Sequence, residues 1–150
     1  KKKIFVCGNG GSAATANHFI CDYLKLIKTN TNFKPKIISL SNNIETITAI
    51  SNDINFNEIF KNQIQINFKE GDIFIVFSGS GNSKNLINAV QWIKERNLGK
   101  TIGFLGFDGG KLSKICDYSF IVKSRKGLYG PIEDIHLVYN HIISLWLQSK

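Results

Sequence analysis

Two short segments rich in glycine and serine are well suited to hold an anion. Residues 8–12 (GNGGS) and residues 78–83 (SGSGNS) each follow a strand-like apolar run and precede a helix-compatible segment. A loop of this kind exposes unpaired N–H groups at the positive end of the helix dipole, and glycine lets an anion come close to them. The two segments therefore predict a phosphate site.

Other readings of these segments stay open. Neither segment contains the lysine of a Walker A motif, so the sequence does not support hydrolysis of nucleoside triphosphates. Residues 8–13 fit the loose G-x-G-x-x-A dinucleotide fingerprint, but that fingerprint expects an acid at the end of the second strand, where residues 39–41 read SLS. Both segments could also be ordinary turns. Two such loops at equivalent places favour a sugar phosphate, with its phosphate on one loop and its hydroxyls on the other.

Histidines and carboxylates occur together on two predicted helices. His18 and Asp22 are four residues apart and share one helix face. Residues 132–143 (IEDIHLVYNHII) add Glu133, Asp134, His136 and His141, and His136 is a rival to His141 as the partner of Glu133. Imidazole and carboxylate groups are the ligands of zinc and also the pair needed for proton transfer. Any single histidine is more often structural. Glu133 and His141 lie roughly 12 Å apart along an ideal helix, so they reach one ion only if the helix start is loosened.

The rest of the chain alternates between strand and helix patterns. The apolar runs are continuous, as expected for parallel strands covered on both faces, and they lie at residues 3–7, 36–40, 72–77, 101–105 and 118–122. Helical patterns cover residues 12–28, 43–50, 55–67, 83–97, 110–115 and 131–148. This order predicts a doubly wound, Rossmann-like α/β domain over residues 1–150, with a five-stranded parallel sheet flanked by helices. Both loops fall at the carboxyl ends of strands, where such sheets bind ligands.

Composition narrows the class of protein. The 150 residues are 43% apolar and 20% charged, with a net charge of +8. The basic residues are scattered, which predicts attraction to small anions and not a nucleic-acid groove. No apolar run approaches the roughly 20 residues of a membrane span. Three cysteines without a C-x-x-C pair predict buried, reduced thiols in a cytoplasmic protein.

The two ends of the chain carry further expectations. The chain has no initiator Met and enters a strand almost at once, so we expect it to be a fragment of a longer protein. The last predicted helix is apolar nearly all round, which predicts burial on several sides and suggests an interface. The alternative is a monomer with that helix packed on its own sheet.

Four blocks of sequence together resemble the sugar isomerase (SIS) domain family, and its phosphoheptose isomerase branch in particular. They are, in order, CGNGGSAATANHF, SGSGNSKNLINAV, GFDGGKL and IEDIHLVYNHII. The resemblance implies isomerisation of sedoheptulose 7-phosphate to D-glycero-D-manno-heptose 7-phosphate for bacterial surface polysaccharide (lipopolysaccharide or capsule). It also implies a homotetramer, one zinc ion per subunit, and an N-terminal helical segment that is missing here. The alternatives are an isomerase of another sugar phosphate, or a non-catalytic SIS protein that binds sugar phosphates or acts in regulation or assembly.

The resemblance also assigns roles to residues. It implies that Asp22 is the catalytic base and His141 the acid. The implied metal ligands are His18, Asp22, Glu133 and His141. The implied substrate contacts are Asn9, Gly10, Gly11, Ser12, Asp22, Asn52, Asp53, Ser78, Gly79, Ser80, Ser83 and Glu133.

The chain departs from the usual family pattern at four places. Asp22 stands where a glutamate is usual, and is one methylene shorter. Glu133 replaces the usual glutamine and adds a negative charge that a bound cation would offset. Gly130 and Pro131 replace an Asp-Arg pair, and Gly79 replaces a threonine in the phosphate loop. These departures indicate either a subfamily acting on the same or a related sugar phosphate, or a lost activity.

Overall fold

The computed structural model describes residues 2–150 as an α/β fold built on one parallel sheet. The sheet has five strands in the order β2-β1-β3-β4-β5, and every adjacent pair is parallel. The strands are β1 (Lys3–Gly8), β2 (Lys36–Ser39), β3 (Asp72–Ser78), β4 (Gly99–Gly106) and β5 (Tyr118–Val122). The predicted fold class is confirmed, and each strand lies within two residues of its predicted bounds.

Helices follow each strand. They are α1 (Gly11–Asp22), α2 (Lys28–Asn30), α3 (Ile44–Asp53), α4 (Ile59–Asn67), α5 (Lys84–Glu95), α6 (Leu112–Ile115) and α7 (Tyr129–Gln148). A 3₁₀ turn at Phe56–Glu58 precedes α4, and a π-helical segment at Tyr23–Ile27 joins α1 to α2. Periodicity did not predict the π-helical segment, because one widened turn leaves the apolar spacing of a helix almost unchanged.

The helices cover both faces of the sheet. Side chains alternate along a strand, so Phe5 and Phe74 point to one face while Val6 and Phe77 point to the other. The first face packs against α3 to α6, and the second packs against α1, α7 and the π-helical segment. Burial on both faces explains why the strands read as continuous apolar runs.

The strand order places the two glycine-serine loops side by side. From β1 the sheet extends to β2 on one side and to β3 on the other, so the carboxyl ends of β1 and β3 form the crevice at which such sheets bind ligands. Gly8 at the end of β1 pairs with Phe77 near the end of β3. The two loops therefore leave the sheet at the same level.

Two expectations about burial are wrong in part. Cys7 is buried and Cys116 is half-buried, but Cys21 is exposed, because it falls on the outer side of α1, away from Phe19 and Asp22. Helix α7 is also not covered on several sides within the chain. Its buried positions recur every four residues as one narrow stripe: Ile132, His136, Asn140 and Ser144. Its outer side exposes Ile135, Val138, Ile142, Leu145 and Trp146.

The helices of residues 2–150 are too short or too polar to cross a membrane.

Candidate functional site

The first loop is an open helix start held at its base by a serine. The Ser41 hydroxyl donates to the Gly8 carbonyl at 2.9 Å and accepts from the Gly8 N–H at 3.1 Å. Gly10 precedes α1 with a φ of 55°, a left-handed conformation that favours glycine. Within residues 2–150, no side-chain hydrogen bond caps this helix start, so its first N–H groups lack a side-chain acceptor.

The second loop folds back on itself and starts α5. The Ser78 hydroxyl accepts from the Gly81 N–H at 3.1 Å, and the Ser80 hydroxyl accepts from the Asn82 N–H at 3.2 Å. Ser83 precedes α5 but makes no side-chain capping bond. The helix start is therefore open, as it is in α1.

A third glycine-containing segment supports the second loop from behind. The backbone N–H of Lys111 donates to the Asn82 side chain at 2.9 Å, and the N–H of Leu112 donates to the Gly81 carbonyl at 2.9 Å. Gly110 has a φ of 53°, and a Cβ there would lie 2.5 Å from the Ser80 carbonyl oxygen. The GFDGGKL block thus packs against the candidate phosphate loop, a supporting role that the sequence did not indicate.

A pair of asparagines joins the two loops. The Asn9 amide donates to Asn85 at 3.0 Å, and the Asn85 amide donates back to Asn9 at 3.0 Å. Asn85 is buried in the first turn of α5 and also accepts from the N–H of Leu86 at 2.9 Å. Sequence reasoning missed Asn85. The second asparagine of SGSGNSKN was its one available signal.

Both loops open onto one cavity of about 160 Å³. Its lining residues come from β3, the starts of α1 and α5, and the start of α7: Asn9, Ser12, Phe77, Ser78, Gly79, Ser80, Ser83, Tyr129 and Glu133. Seven of these were among the predicted substrate contacts. Serine hydroxyls, an asparagine amide and a glutamate carboxylate therefore line the same cavity.

Tyr129 separates this cavity from a larger one of about 460 Å³. Ser80 and Tyr129 line both cavities, and Lys123 and Lys126 line only the larger one. The Tyr129 ring lies against Gly79, where a Cβ would come within 2.6 Å of the ring carbon Cδ1. Glycine in place of the family's usual threonine thus makes room for this ring.

Glu133 lies against the start of α1. A Cβ at Gly11 would overlap the Glu133 carboxylate, so a larger residue there would require the Glu133 side chain to move. The carboxylate thereby occupies the positive end of the α1 dipole, which stabilises its charge.

Three other predicted residues form a possible metal site on the same two helices. His18 and Asp22 lie on α1 and His141 on α7, and one ligand atom from each lies within 4.8 Å of the others. The two Nε2 atoms are 3.0 Å apart, and they lie 3.5 Å and 3.6 Å from the Asp22 carboxylate oxygens. Ligands at tetrahedral angles, about 2.0–2.1 Å from a zinc ion, lie about 3.3–3.4 Å apart. The donor set and its spacing fit a divalent metal.

The Asp22 carboxylate is 5% exposed, although neither of its ion-pair partners within residues 2–150 is lysine or arginine. Both partners are histidines. The Asn140 amide donates to Asp22 Oδ2 at 2.7 Å. Burial raises the pKa of the neighbouring Tyr23, and the negative charge of Asp22 raises it further. A buried acid that lacks a permanently charged partner is a reasonable place for a cation.

Comparison with known proteins places this geometry in a family. A family profile described as "SIS domain" matches residues 1–106. The chain is 41% identical to a phosphoheptose isomerase of Fusobacterium nucleatum over 142 residues, which are 95% of this chain and 71% of that protein.

The chain belongs to the SIS domain family. It is also 40% identical to a phosphoheptose isomerase of Aliarcobacter butzleri, over 94% of this chain and 72% of the relative. The structure of a phosphoheptose isomerase from Neisseria gonorrhoeae superimposes with a TM-score of 0.87 at 31% identity, covering 99% of this chain and 77% of that one. The resemblance predicted from the four sequence blocks is confirmed.

The SIS domain does not bring every predicted residue to these sites. Glu133 lies outside the group of three possible metal ligands, so its role as a ligand stays a prediction. Asn52 and Asp53 end α3, where the amide of one donates to the carboxylate of the other at 2.9 Å, and they do not line the 160 Å³ cavity. Their contact with substrate also stays a prediction.

His136 of the SIS domain is structural. Its ring is fully buried on α7, and its Nε2 lies 3.2 Å from the Leu105 carbonyl. Burial lowers its pKa, and the bond to Leu105 opposes this only in part. A neutral ring among Phe77 and Phe104 fits the core on this face of the sheet.

Proposed function

We propose that this protein isomerises sedoheptulose 7-phosphate to D-glycero-D-manno-heptose 7-phosphate, as a sugar-phosphate isomerase of the SIS family. The single observation that carries the proposal is the cavity on which both loops open, with acids and histidines on the two helices beside it. Relatives at about 40% identity carry the name phosphoheptose isomerase. A role in bacterial surface polysaccharide follows from the product.

The phosphate binds at the second loop. Ser78, Ser80 and Ser83 supply hydroxyls, and the open start of α5 supplies N–H groups and the positive end of its dipole. Asn9 and Ser12 contribute polar groups from the first loop. Gly10 and Gly11 shape that loop, because Gly10 has a φ of 55° and Gly11 lets the Glu133 carboxylate lie against the loop. Glu133 accepts hydrogen bonds from sugar hydroxyls.

Aldose–ketose isomerisation moves one proton between neighbouring carbons and one between neighbouring oxygens. A base removes the proton from the carbon next to the carbonyl, and the resulting enediol takes a proton back on the adjacent carbon. Asp22 is the base, because its buried carboxylate lies within 3.6 Å of both His18 and His141. His141, half-exposed and 3.6 Å from Asp22, carries the proton between the oxygens.

His18, Asp22 and His141 hold a zinc ion, and Glu133 is the fourth predicted ligand. The fit rests on the donor set and on the 3.0–3.6 Å spacing of the three ligand groups. A bound zinc ion supplies Lewis-acid polarisation of the sugar carbonyl. Without a cation, the buried Asp22 carboxylate has only two histidines to offset its charge.

The protein forms a homotetramer. The outer side of α7 presents Ile142, Leu145 and Trp146 to solvent in the single chain, and nearby Leu24 is also exposed. A continuous apolar side on one helix is typical of a surface that a partner covers. Because α7 also carries His141 and Glu133, assembly and the site share one element.

Turnover of sedoheptulose 7-phosphate by the purified protein tests the proposal. We expect conversion with zinc present, and a loss of at least about 100-fold in kcat/KM for His141→Ala and Ser80→Ala. Ser149→Ala, at the exposed end of the chain, serves as the control and should match wild type. No conversion by wild type with metal present would refute the enzymatic function. If fructose 6-phosphate is turned over faster than sedoheptulose 7-phosphate, the proposed isomerisation stands but its substrate is a hexose phosphate.

A further inference from the structure

Asn140 makes a hydrogen bond that the proposed reaction does not itself require. It lies on α7, immediately before His141, and it is 1% exposed. Its amide nitrogen donates to Asp22 Oδ2 at 2.7 Å. A carboxylate can only accept, so the nitrogen of Asn140 must face Asp22 and its oxygen must point away.

The other half of the Asn140 amide has no partner. Its Oδ1 is buried and accepts no hydrogen bond from residues 2–150. A buried polar atom left without a partner lowers stability. The only hydrogen bond of the Asn140 side chain within residues 2–150 is therefore the one that it donates to Asp22.

The contact distinguishes the two oxygens of Asp22. Oδ2 takes the bond from Asn140 and lies 3.6 Å from His141, whereas Oδ1 lies 3.5 Å from His18. The terminal torsion of an aspartate is broad when nothing holds it. A 2.7 Å bond to a buried residue on a neighbouring helix restricts that torsion and leaves Oδ1 toward His18.

We propose that Asn140 is a positioning residue that orients the Asp22 carboxylate for its roles as base and as metal ligand. The proposal rests on the function proposed above for Asp22. Asn140 is itself too deeply buried to touch substrate. Hydrogen bonds that orient a ligating side chain typically change metal affinity or activity by about 10–100-fold when they are removed.

Two variants of Asn140 test this role. Asn140→Leu removes the donor and keeps a similar volume, and Asn140→Ala removes the donor without adding volume or charge. The matched control is Asn88→Leu on α5, which removes an amide that donates to the Glu58 carboxylate at 3.0 Å away from the site. Thermal unfolding and circular dichroism establish that each variant folds. Because alanine is smaller than asparagine and cannot overpack the core, the test does not depend on the leucine variant folding.

Cobalt(II) binding and steady-state kinetics are the measurements. For both Asn140 variants we expect the cobalt(II) Kd to rise about 10–100-fold and the visible absorption bands of the bound ion to shift. We expect kcat to fall by a similar factor while KM for the sugar phosphate stays within about threefold, because the phosphate loop is untouched. Asn88→Leu should leave the cobalt(II) Kd, the absorption bands, kcat and KM at wild-type values.

Three results would overturn the role of Asn140 or of the whole site. Cobalt(II) Kd and kcat within about twofold of wild type in both variants would overturn the positioning role alone. An equal change in kcat and KM with an unchanged cobalt(II) spectrum would also overturn the positioning role, because it would indicate a general disturbance of the structure. If wild type neither binds cobalt(II) nor turns over substrate, the proposed site fails, and the role of Asn140 fails with it.

Discussion

At the scale of single residues, the site depends on positions where a side chain must be absent. Gly11 leaves room for the Glu133 carboxylate, and Gly79 leaves room for the Tyr129 ring. Each glycine thus pairs with one larger residue at the start of α7. The two glycine-serine loops are thus fitted to α7, each through one of these contacts.

Gly79→Ala should displace the Tyr129 ring. The new Cβ would lie 2.6 Å from Tyr129 Cδ1, which is closer than van der Waals contact allows, so the ring must move away from the cavity wall. We expect KM for the sugar phosphate to rise about tenfold, with a smaller effect on kcat, measured by steady-state kinetics. Gly130→Ala is the control, because a Cβ there has no neighbour within 4 Å and should leave KM unchanged. An unchanged KM for Gly79→Ala would mean that the ring does not shape the site.

At the scale of elements, side-chain bonds hold loops and strand ends in register. The Asn9–Asn85 pair ties the start of α5 to the end of β1. At the opposite edge of the sheet, Asp117 accepts from the backbone N–H and from the hydroxyl of Thr101, both at 2.8 Å, and joins the starts of β4 and β5. We expect the Asn9–Asn85 pair to affect ligand binding, and the bonds between Asp117 and Thr101 to affect stability.

Asn85→Leu should separate the two loops. The change leaves the Asn9 amide with neither of its bonds to Asn85, which costs about 1–3 kcal/mol in the free energy of unfolding. We also expect KM for the sugar phosphate to rise, because the loops no longer hold one geometry. Asn88→Leu, one turn further along α5, should lose stability without a change in KM. Urea unfolding and steady-state kinetics separate the two effects, and an equal rise in KM for both variants would contradict the prediction.

Asp117 should make stability depend on pH in the acidic range. Burial raises its pKa, but the hydrogen bond from Lys94 and the bonds from Thr101 outweigh this and lower it to about 2. Since the pKa of the unfolded chain is about 3.9, the stabilisation is complete above about pH 4 and is lost as pH falls towards 2. Lys94 is 40% exposed, so we expect only about 1 kcal/mol after screening.

Urea unfolding at pH 5 and pH 2.5 measures this contribution of Asp117. Asp117→Asn should lower the free energy of unfolding at pH 5. It should also narrow the difference in the free energy of unfolding between pH 5 and pH 2.5. A variant that retains the full pH dependence of wild type would show that other carboxylates carry it.

At the scale of the whole molecule, the two faces of the sheet have different surroundings. Helices α3 to α6 cover one face, and α1 and α7 cover the other, with the apolar outer side of α7 exposed. The possible metal ligands and Glu133 belong to α1 and α7. An assembly through α7 would therefore place the site near a subunit boundary.

Leu145→Glu should weaken that assembly. Leu145 is 64% exposed on the outer side of α7, so a carboxylate there is tolerated in a monomer and is unfavourable in an apolar interface. We expect light scattering coupled to size exclusion to show a smaller species than wild type at micromolar concentration. Ile66→Glu is the control, since Ile66 is 82% exposed on α4, on the other side of the sheet. A wild-type monomer would refute the tetramer, and an unchanged oligomer in Leu145→Glu would place its interface elsewhere.

Local pattern alone was enough to predict the strands, the long helices and the two loops. Apolar residues with a period of 3.6 indicate the buried side of a helix, and continuous apolar runs indicate buried strands. The type and order of the elements followed from these two patterns. Gly8–Ser12 and Ser78–Ser83 were recognisable because left-handed turns and close anion approach require glycine whatever surrounds them. The ligand pair His18 and Asp22 was visible because both lie one turn apart on one helix.

Only the tertiary structure decided which distant residues meet. Three contacts of the site join residues that are far apart in sequence: Asn85 lies 76 positions from Asn9, Asn140 lies 118 from Asp22, and Tyr129 lies 50 from Gly79. No periodicity of the sequence relates the members of these pairs. The packing of α1 against α7 brought His141 to His18 and kept Glu133 at the start of α1. Long-range pairing depends on the register between packed elements, which is set by the whole core and not by either segment.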